Sequence, residues 1–355
     1  MLLRTCGGRR RGALVAVLMS AALSASVAGQ GKDEKTKVND AQRADAQALV
    51  DLVEGAIQGK AAGNGLELKW ARHYFLKAQG EKTYVPFVLI VPSEGISSPR
   101  VGLYLRVAAR SAAQTATGTS GTVQKSKSDA PQYAFEDLYF FDLPQPGPGK
   151  PHRIARAFAV PPGDYDVYAA MTEHGGQKGT DGAKKSGVTH QAITVPNFSV
   201  SGLTTSDIIV AEQIETLAEP ITSDSQADHP FTFGQMQIVP ALEHRFTKKD
   251  ELKIVFWIYG AGTDTQTKKP DANIEYKFHR VEGDKQTYFN KTDPQPLNAQ
   301  TLPAQFDLAA GHQLSGSLGV PLASFPEGNY RLEIEVQDKA AGKQVTRDVS
   351  FTVAP

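Results

Sequence analysis

The residues most able to do chemistry in this 355-residue chain are its eight histidines: His73, His152, His174, His190, His229, His244, His279 and His312. A histidine reads as a zinc ligand when a second ligand lies a helical turn away, or when cysteines complete the set. No HExxH spacing occurs, and the single cysteine, Cys6, stands near the start. There is no GxSxG elbow to expose a nucleophile, no Walker loop to cradle phosphates and no GxGxxG dinucleotide fingerprint. Asp164 and Asp166 flank Tyr165. On a strand two such carboxylates share a face and could hold calcium or act as acid and base. No DxDxDG loop surrounds them, so they are expected to be solvent-facing groups beside a structural tyrosine. No catalytic, cofactor-binding or metal-binding residue is assigned on these grounds, and no cofactor is expected.

Aromatic side chains offer a second chemistry, the stacking of sugars. Tyr133–Phe141 (YAFEDLYFF) is the densest run. Within it Phe135 alternates with Glu136 and Leu138 with Tyr139, the pattern of a core strand, since aromatics favour strands. Trp70 and Trp257 are open to the same two uses. Asn197-Phe198-Ser199 and Asn290-Lys291-Thr292 are glycosylation sequons, meaningful only in a host that glycosylates.

The elements that would carry these residues are mostly strands. One helix is expected over Asn39–Gln58, where Leu49, Leu52, Val53, Ala56 and Ile57 recur at helical spacing. It reads as an amphipathic helix packed on a sheet. After Gly63-Asn64-Gly65 the pattern alternates. Val101, Leu103, Leu105 and Val107 point one way, Tyr104 and Arg106 the other. Similar alternation recurs at Leu252–Tyr259, Ile274–His279 and Tyr330–Gln337, and Asp338–Lys343 forms a turn in which Gly342 suits a positive φ. Ser111–Asp129 and Gly175–Gly187 are polar insertions unable to bury a core. The fold class expected is mostly β: two immunoglobulin-like antiparallel β-sandwiches preceded by a signal peptide and a short amphipathic helix. The expected boundaries are a signal peptide over 1–28, a polar segment and helix over 29–63, a first sandwich over 64–217, a linker over 218–230 and a second sandwich over 231–355.

The two halves share a motif. Phe158-Ala159-Val160-Pro161-Pro162-Gly163-Asp164-Tyr165 precedes one alternating strand, and Phe325-Pro326-Glu327-Gly328-Asn329-Tyr330 precedes another. In immunoglobulin-like sandwiches a tyrosine in this place bonds back to the preceding loop, the tyrosine corner. Gly163, Tyr165, Gly328 and Tyr330 are therefore the expected structural corners, the glycines supplying backbone freedom. The stretch FPEGNYRLEIEVQDKAAGKQVTRDVSFTV resembles the closing hairpin of immunoglobulin-like domains in exported acidobacterial proteins of unknown function. FEDLYFFDL, AFAVPPGDYDVY and KKDELKIVFWIYG are similar to the same group, some of whose members accompany GWxTD or von Willebrand-type domains. Gly262-Thr263-Asp264 lacks the tryptophan of a GWxTD signature. The resemblance implies a fold and carries no catalytic residues.

The first residues look like an export signal: Arg4, Arg9, Arg10 and Arg11, then the apolar run Ala13–Ala25, then Ser26-Val27-Ala28. The run is shorter than the ~20 apolar residues that span a bilayer. Cleavage after Ala28 would remove Cys6, so no disulfide is expected. It would also remove four arginines from a chain with 38 basic and 38 acidic residues, leaving the remainder four charges acidic. That balance argues against nucleic acid as a partner. The expectation is an exported, periplasmic or extracellular, non-enzymatic protein that binds another exported protein or a cell-envelope component, with no transmembrane segment after signal removal. Two other classes remain open: a carbohydrate- or cell-wall-binding module using exposed rings, and a hydrolase with a dispersed site.

Overall fold

The structure, a computed structural model, describes residues 40–60, 63–94, 96–110, 133–174, 184–199, 202–222 and 225–355. The expected signal, the insertion over Ser111–Asp129 and residues 175–183 of the insertion over Gly175–Gly187 lie outside the described residues, while Ser186 and Gly187 of the latter open a strand. The chain is mostly β and forms two compact units.

The N-terminal unit holds helix α1 (Asp40–Ile57) and seven principal strands: β1 (Lys69–His73), β2 (Thr83–Val91), β3 (Arg100–Ala109), β4 (Phe135–Asp142), β5 (His152–Val160), β6 (Gly163–Glu173) and β7 (Ser186–Val195). β2 pairs with β5 along one edge and with β1 along the other. The second sheet runs β7-β6-β3-β4, all antiparallel. Phe87 and Leu89 of one sheet meet Leu103, Leu105, Val167 and Met171 of the other in a single core. The side chains of Phe87, Leu89, Ile154 and Leu103 carry no polar group, so burying them costs only chain entropy, which the apolar area offsets.

The C-terminal unit holds β8 (Ile209–Thr216), β9 (Arg245–Thr247), β10 (Glu251–Tyr259), β11 (Ala272–Glu282), β12 (Lys285–Lys291), β13 (Leu314–Pro321), β14 (Gly328–Asp338) and β15 (Lys343–Ala354). β10 pairs with β13 along one edge and with β8 along the other. The second sheet runs β9-β15-β14-β11-β12. Only the β9–β15 pairing is parallel among the principal strands. Phe256 and Ile254 face Tyr276, Phe278, Leu332 and Ile334 in the core.

The wiring of the two units matches strand for strand. β2, β3, β4, β5, β6 and β7 correspond in order and pairing to β10, β11, β12, β13, β14 and β15. Each unit is thus an immunoglobulin-like sandwich, and the motif shared by the two halves marks one strand, β6 or β14, of a whole repeated fold.

The division of the chain differs from the sequence expectation. Gly202–Thr216, expected in the first sandwich, belongs to the C-terminal unit. Leu217–Gln237, which includes the expected linker, belongs to the N-terminal one. The reason is specific bonding. The Tyr84 hydroxyl donates to the Pro230 carbonyl at 3.0 Å, and Arg156 pairs with Asp228 at 3.4 Å. Polarity made 218–230 look like a linker, yet a polar segment can be held by polar partners as well as by burial.

β3 also departs from its expected half-buried pattern. Tyr104 and Arg106 are buried like the residues on the core face, because α1 lies over them.

Candidate functional site

The corner residues fall at equivalent places. The Tyr165 hydroxyl donates to the Pro161 carbonyl at 2.9 Å, and the Tyr330 hydroxyl donates to the Pro326 carbonyl at 2.7 Å. Gly163 and Gly328 adopt φ values of 153° and 144°, where a Cβ is disfavoured. Burial pushes both phenols above their ordinary pKa and keeps the donor protons in place. Phe289, Phe325 and Phe351 surround the Tyr330 ring. These four residues shape the two corners.

Sequence reasoning missed two buried charge clusters beneath α1. Leu49 and Val53 bury against Tyr104 and Ala170. At one end of this contact the Asp45 carboxylate accepts from the His174 ring and from Lys184 Nζ, the latter at 2.6 Å. At the other end the Arg106 guanidinium donates to Glu54 and, at 2.8 Å, to the Tyr104 hydroxyl. It also lies 4.0 Å from the Tyr133 ring centroid. Burial works against the charge on Arg106, but the bonds to Glu54 and Tyr104 outweigh it and the pKa rises. Burial, then the hydrogen bond to Glu136, raises the Tyr104 phenol. Asp45 and His174 are 129 residues apart, so no local spacing could have shown them as a pair.

The His174–Asp45 pair invites comparison with a catalytic relay. Such a relay needs a nucleophile hydroxyl on the second ring nitrogen. The nearby Ser98 hydroxyl instead donates to the backbone carbonyls of His174 and Arg100. The pair fastens the helix to the sheet.

The other candidates resolve as follows. Asp164 accepts from the Thr194 hydroxyl at 2.6 Å, and Asp166 pairs with His190 at 2.8 Å. Arg110 lies within ion-pair distance of both carboxylates. They are members of an outer-face polar ladder, each already partnered. Among the described residues no three or more His, Cys, Asp or Glu side chains are grouped to hold a metal ion. Trp257 is 4% exposed, so it offers no platform for a sugar. Trp70 stacks on Phe87 at 4.5 Å and donates its indole N–H to His73 Nδ1 at 3.0 Å. In the aromatic run Phe135, Tyr139 and Phe141 pack toward the core, while Leu138 packs beneath α1. Between Tyr139 and Phe141 sits the buried guanidinium of Arg156, 4.9 and 4.4 Å from the ring centroids.

One surface is both open and shaped for contact. β12 ends its sheet and among the described residues pairs only with β11. Phe289 points into the core, whereas Tyr288 is 56% exposed, leaning edge-on toward His279. An end strand of this kind presents backbone N–H and C=O groups to whatever approaches.

No family model matches the chain, and no curated protein matches it. Solved structures similar to it include dimeric latent PorU from Porphyromonas gingivalis, 8% identical with a TM-score of 0.28 over 81% of this chain and 20% of that one. Another is the native conformation of the E. coli alpha-2-macroglobulin, 10% identical with a TM-score of 0.21 over 83% of this chain and 14% of that one. The chain thus spans a fifth or less of the length of either protein, and likenesses at these scores transfer no function.

Proposed function

We propose that this chain is an exported, non-enzymatic binding or scaffold protein that holds another protein of the cell envelope along an exposed strand edge. The observation that carries this reading is β12, a seven-residue end strand whose residues other than Phe289 are exposed. Strand addition uses main-chain hydrogen bonds for affinity and alternate side chains for selectivity, and an end strand supplies both. The leader-like first residues and the resemblance to exported immunoglobulin-like domains support the location. Two rigid sandwiches of one fold suit a scaffold, since binding segments at strand edges and loops are positioned by the core beneath them.

The test is site-specific. A photo-reactive residue replaces Tyr288 in the full chain, expressed in its native envelope. The expected result is a stoichiometric adduct with one protein, absent when the probe is moved to Gln344, together with slowed amide exchange over residues 285–291 in the purified complex. An adduct pattern identical at both positions, or unaltered exchange at the edge, would overturn the reading.

A further inference from the structure

We propose that Asn64 is a self-modifying site. With water as co-reactant it converts to aspartate and isoaspartate, and the isoaspartate form unfastens from β7 the stretch of chain that follows α1. This inference is independent of the edge-binding reading.

Gly63-Asn64-Gly65 marks the point at which helical spacing gives way to alternation, and neither the corners nor the edge of β12 uses it. Of the seven asparagines in the chain, only Asn64 precedes a glycine. In such a pair the following backbone nitrogen can reach the side-chain carbonyl carbon with no Cβ in the way. The Gly65 nitrogen gives its proton to hydroxide and bonds to Asn64 Cγ. The amide nitrogen leaves as ammonia, taking a proton from water, and a five-membered succinimide remains. Water then opens the ring at one of its two carbonyls. Attack at Cγ gives aspartate; attack at the main-chain carbonyl gives isoaspartate. The net change is one water taken up and one ammonia released, with nothing oxidised or reduced.

The surroundings leave this amide available. Asn64 is exposed, and among the described residues its side chain takes part in no hydrogen bond. The other described asparagines are held. The side-chain oxygens of Asn197, Asn290, Asn298 and Asn329 accept from Ser199, Lys291, Gln300 and Thr352, and the Asn273 amide fits between the Ala272 carbonyl and Lys339 Nζ. The backbone at Asn64 is tied to β7 by a short ladder, Gly63 to Gly187 and Asn64 to Ser186, extended by a bridge from Gly65 to Ser186. A tie this short opens locally without unfolding a sheet. Gly65 has φ of 71°, and the nearest atom to where its Cβ would stand is Lys185 Cγ at 3.7 Å, so its surroundings are open.

Isoaspartate routes the main chain through Cβ and Cγ and so lengthens it between residues 64 and 65. A lengthened backbone cannot hold its pairs on both sides of the insertion in register. The loss falls beside Lys184, which donates to Asp45 of α1 at 2.6 Å. The helix should loosen with it.

The freshly purified full chain is incubated in mildly alkaline buffer, and its tryptic peptide over residues 61–69 is followed by mass spectrometry beside the same peptide free in solution. The expected result is a gain of about one mass unit in the folded chain, at a rate comparable with that of the free peptide, resolved into aspartate and isoaspartate forms. Hydroxylamine, which cleaves succinimides, should cut the chain after residue 64. Asn64→Gln, a change at an exposed side chain, should lose most of the conversion. Amide exchange over residues 186–188 and 46–57 should be faster in the isoaspartate fraction than in fresh chain. Conversion of the free peptide but not of the folded chain would overturn the proposal, because the fold would be protecting Asn64. Earlier conversion at any other asparagine would overturn it too. Isoaspartate at residue 64 with unchanged exchange would refute the unfastening.

Discussion

Tyr330 donates its hydroxyl proton to the carbonyl oxygen of Pro326, four residues upstream, and so ties the first residues of β14 to the turn that delivers them. Tyr165 makes the same bond to Pro161 at the start of β6. A buried hydrogen bond of this kind nets about 1 kcal/mol, and the abandoned carbonyl adds to the loss if it stays dry. Tyr330→Phe and Tyr165→Phe should each lower stability by about 1–2 kcal/mol, read as a shift in urea midpoint with the slope unchanged. The two losses should be similar in size, because the two corners have the same geometry. A loss in one and none in the other would show that the corners are alike in shape but not in energetics.

The corners were legible because both strings place Pro, Gly and Tyr at fixed offsets before an alternating strand. The helix was legible too, expected over Asn39–Gln58 and found over Asp40–Ile57. What escaped was anything that depended on contacts across the chain. Arg106 looked like a solvent-facing residue on an alternating strand; it is 3% exposed because Glu54, 52 residues earlier, comes to it on α1. Val255, Trp257 and Tyr259 alternate with the core residues of β10 yet are themselves buried, so period-two polarity failed there as a guide to solvent. The open edge of β12 was invisible for the opposite reason. Whether a strand lies at the end of a sheet is a property of topology, and no residue of KQTYFNK announces it.

Arg106 should decide whether α1 stays docked. Replacing it with methionine keeps most of the side-chain volume but removes the donors to Glu54 and Tyr104. Glu54 and Glu136 are nearly half exposed and can turn to water, so the loss is softened. Arg106→Met is expected to destabilise the N-terminal sandwich by about 1.5–3 kcal/mol, the range for hydrogen bonds to charged groups. Hydrogen exchange of the amides from Ala46 to Ile57 should accelerate more than that of β2 or β6. Uniform acceleration throughout the unit, or none, would mean that the guanidinium is not the helix fastening.

His73 should give the N-terminal unit an acid-sensitive step. Its Nδ1 accepts the indole proton of Trp70, which requires the neutral ring. Burial, helped by the charge on Arg72, holds its pKa below the ordinary 6.5. The unfolded chain therefore takes up this proton first. The stability contributed by neutral His73 is present above 6.5 and declines as pH falls from there toward the depressed folded value. Measured between pH 7 and pH 5, stability of the parent chain should fall more steeply than that of His73→Leu, which has no proton to take up. Parallel curves for the two proteins would remove His73 from the acid response.

Gly316 tests how tightly the C-terminal core is filled. It lies opposite Phe256 in the β10–β13 ladder. A Cβ at Gly316 would stand 2.3 Å from Phe256 Cζ and 2.9 Å from Ile274 Cδ1. Both neighbours are fully buried, so neither ring nor methyl can swing out to solvent. Gly316→Ala should therefore cost about 1–3 kcal/mol through overpacking, against the usual small gain from removing a glycine in a strand. Phe256→Leu alone should also be destabilising, by the loss of buried ring area. Combined, the two should cost less than their sum, since the smaller side chain vacates the space that the new methyl needs; a coupling of about 0.5–3 kcal/mol is the range for residues in contact. Strict additivity in a double-mutant cycle, or a stable Gly316→Ala protein, would show that β13 shifts to admit the methyl and that the close approach of these strands is not what requires glycine.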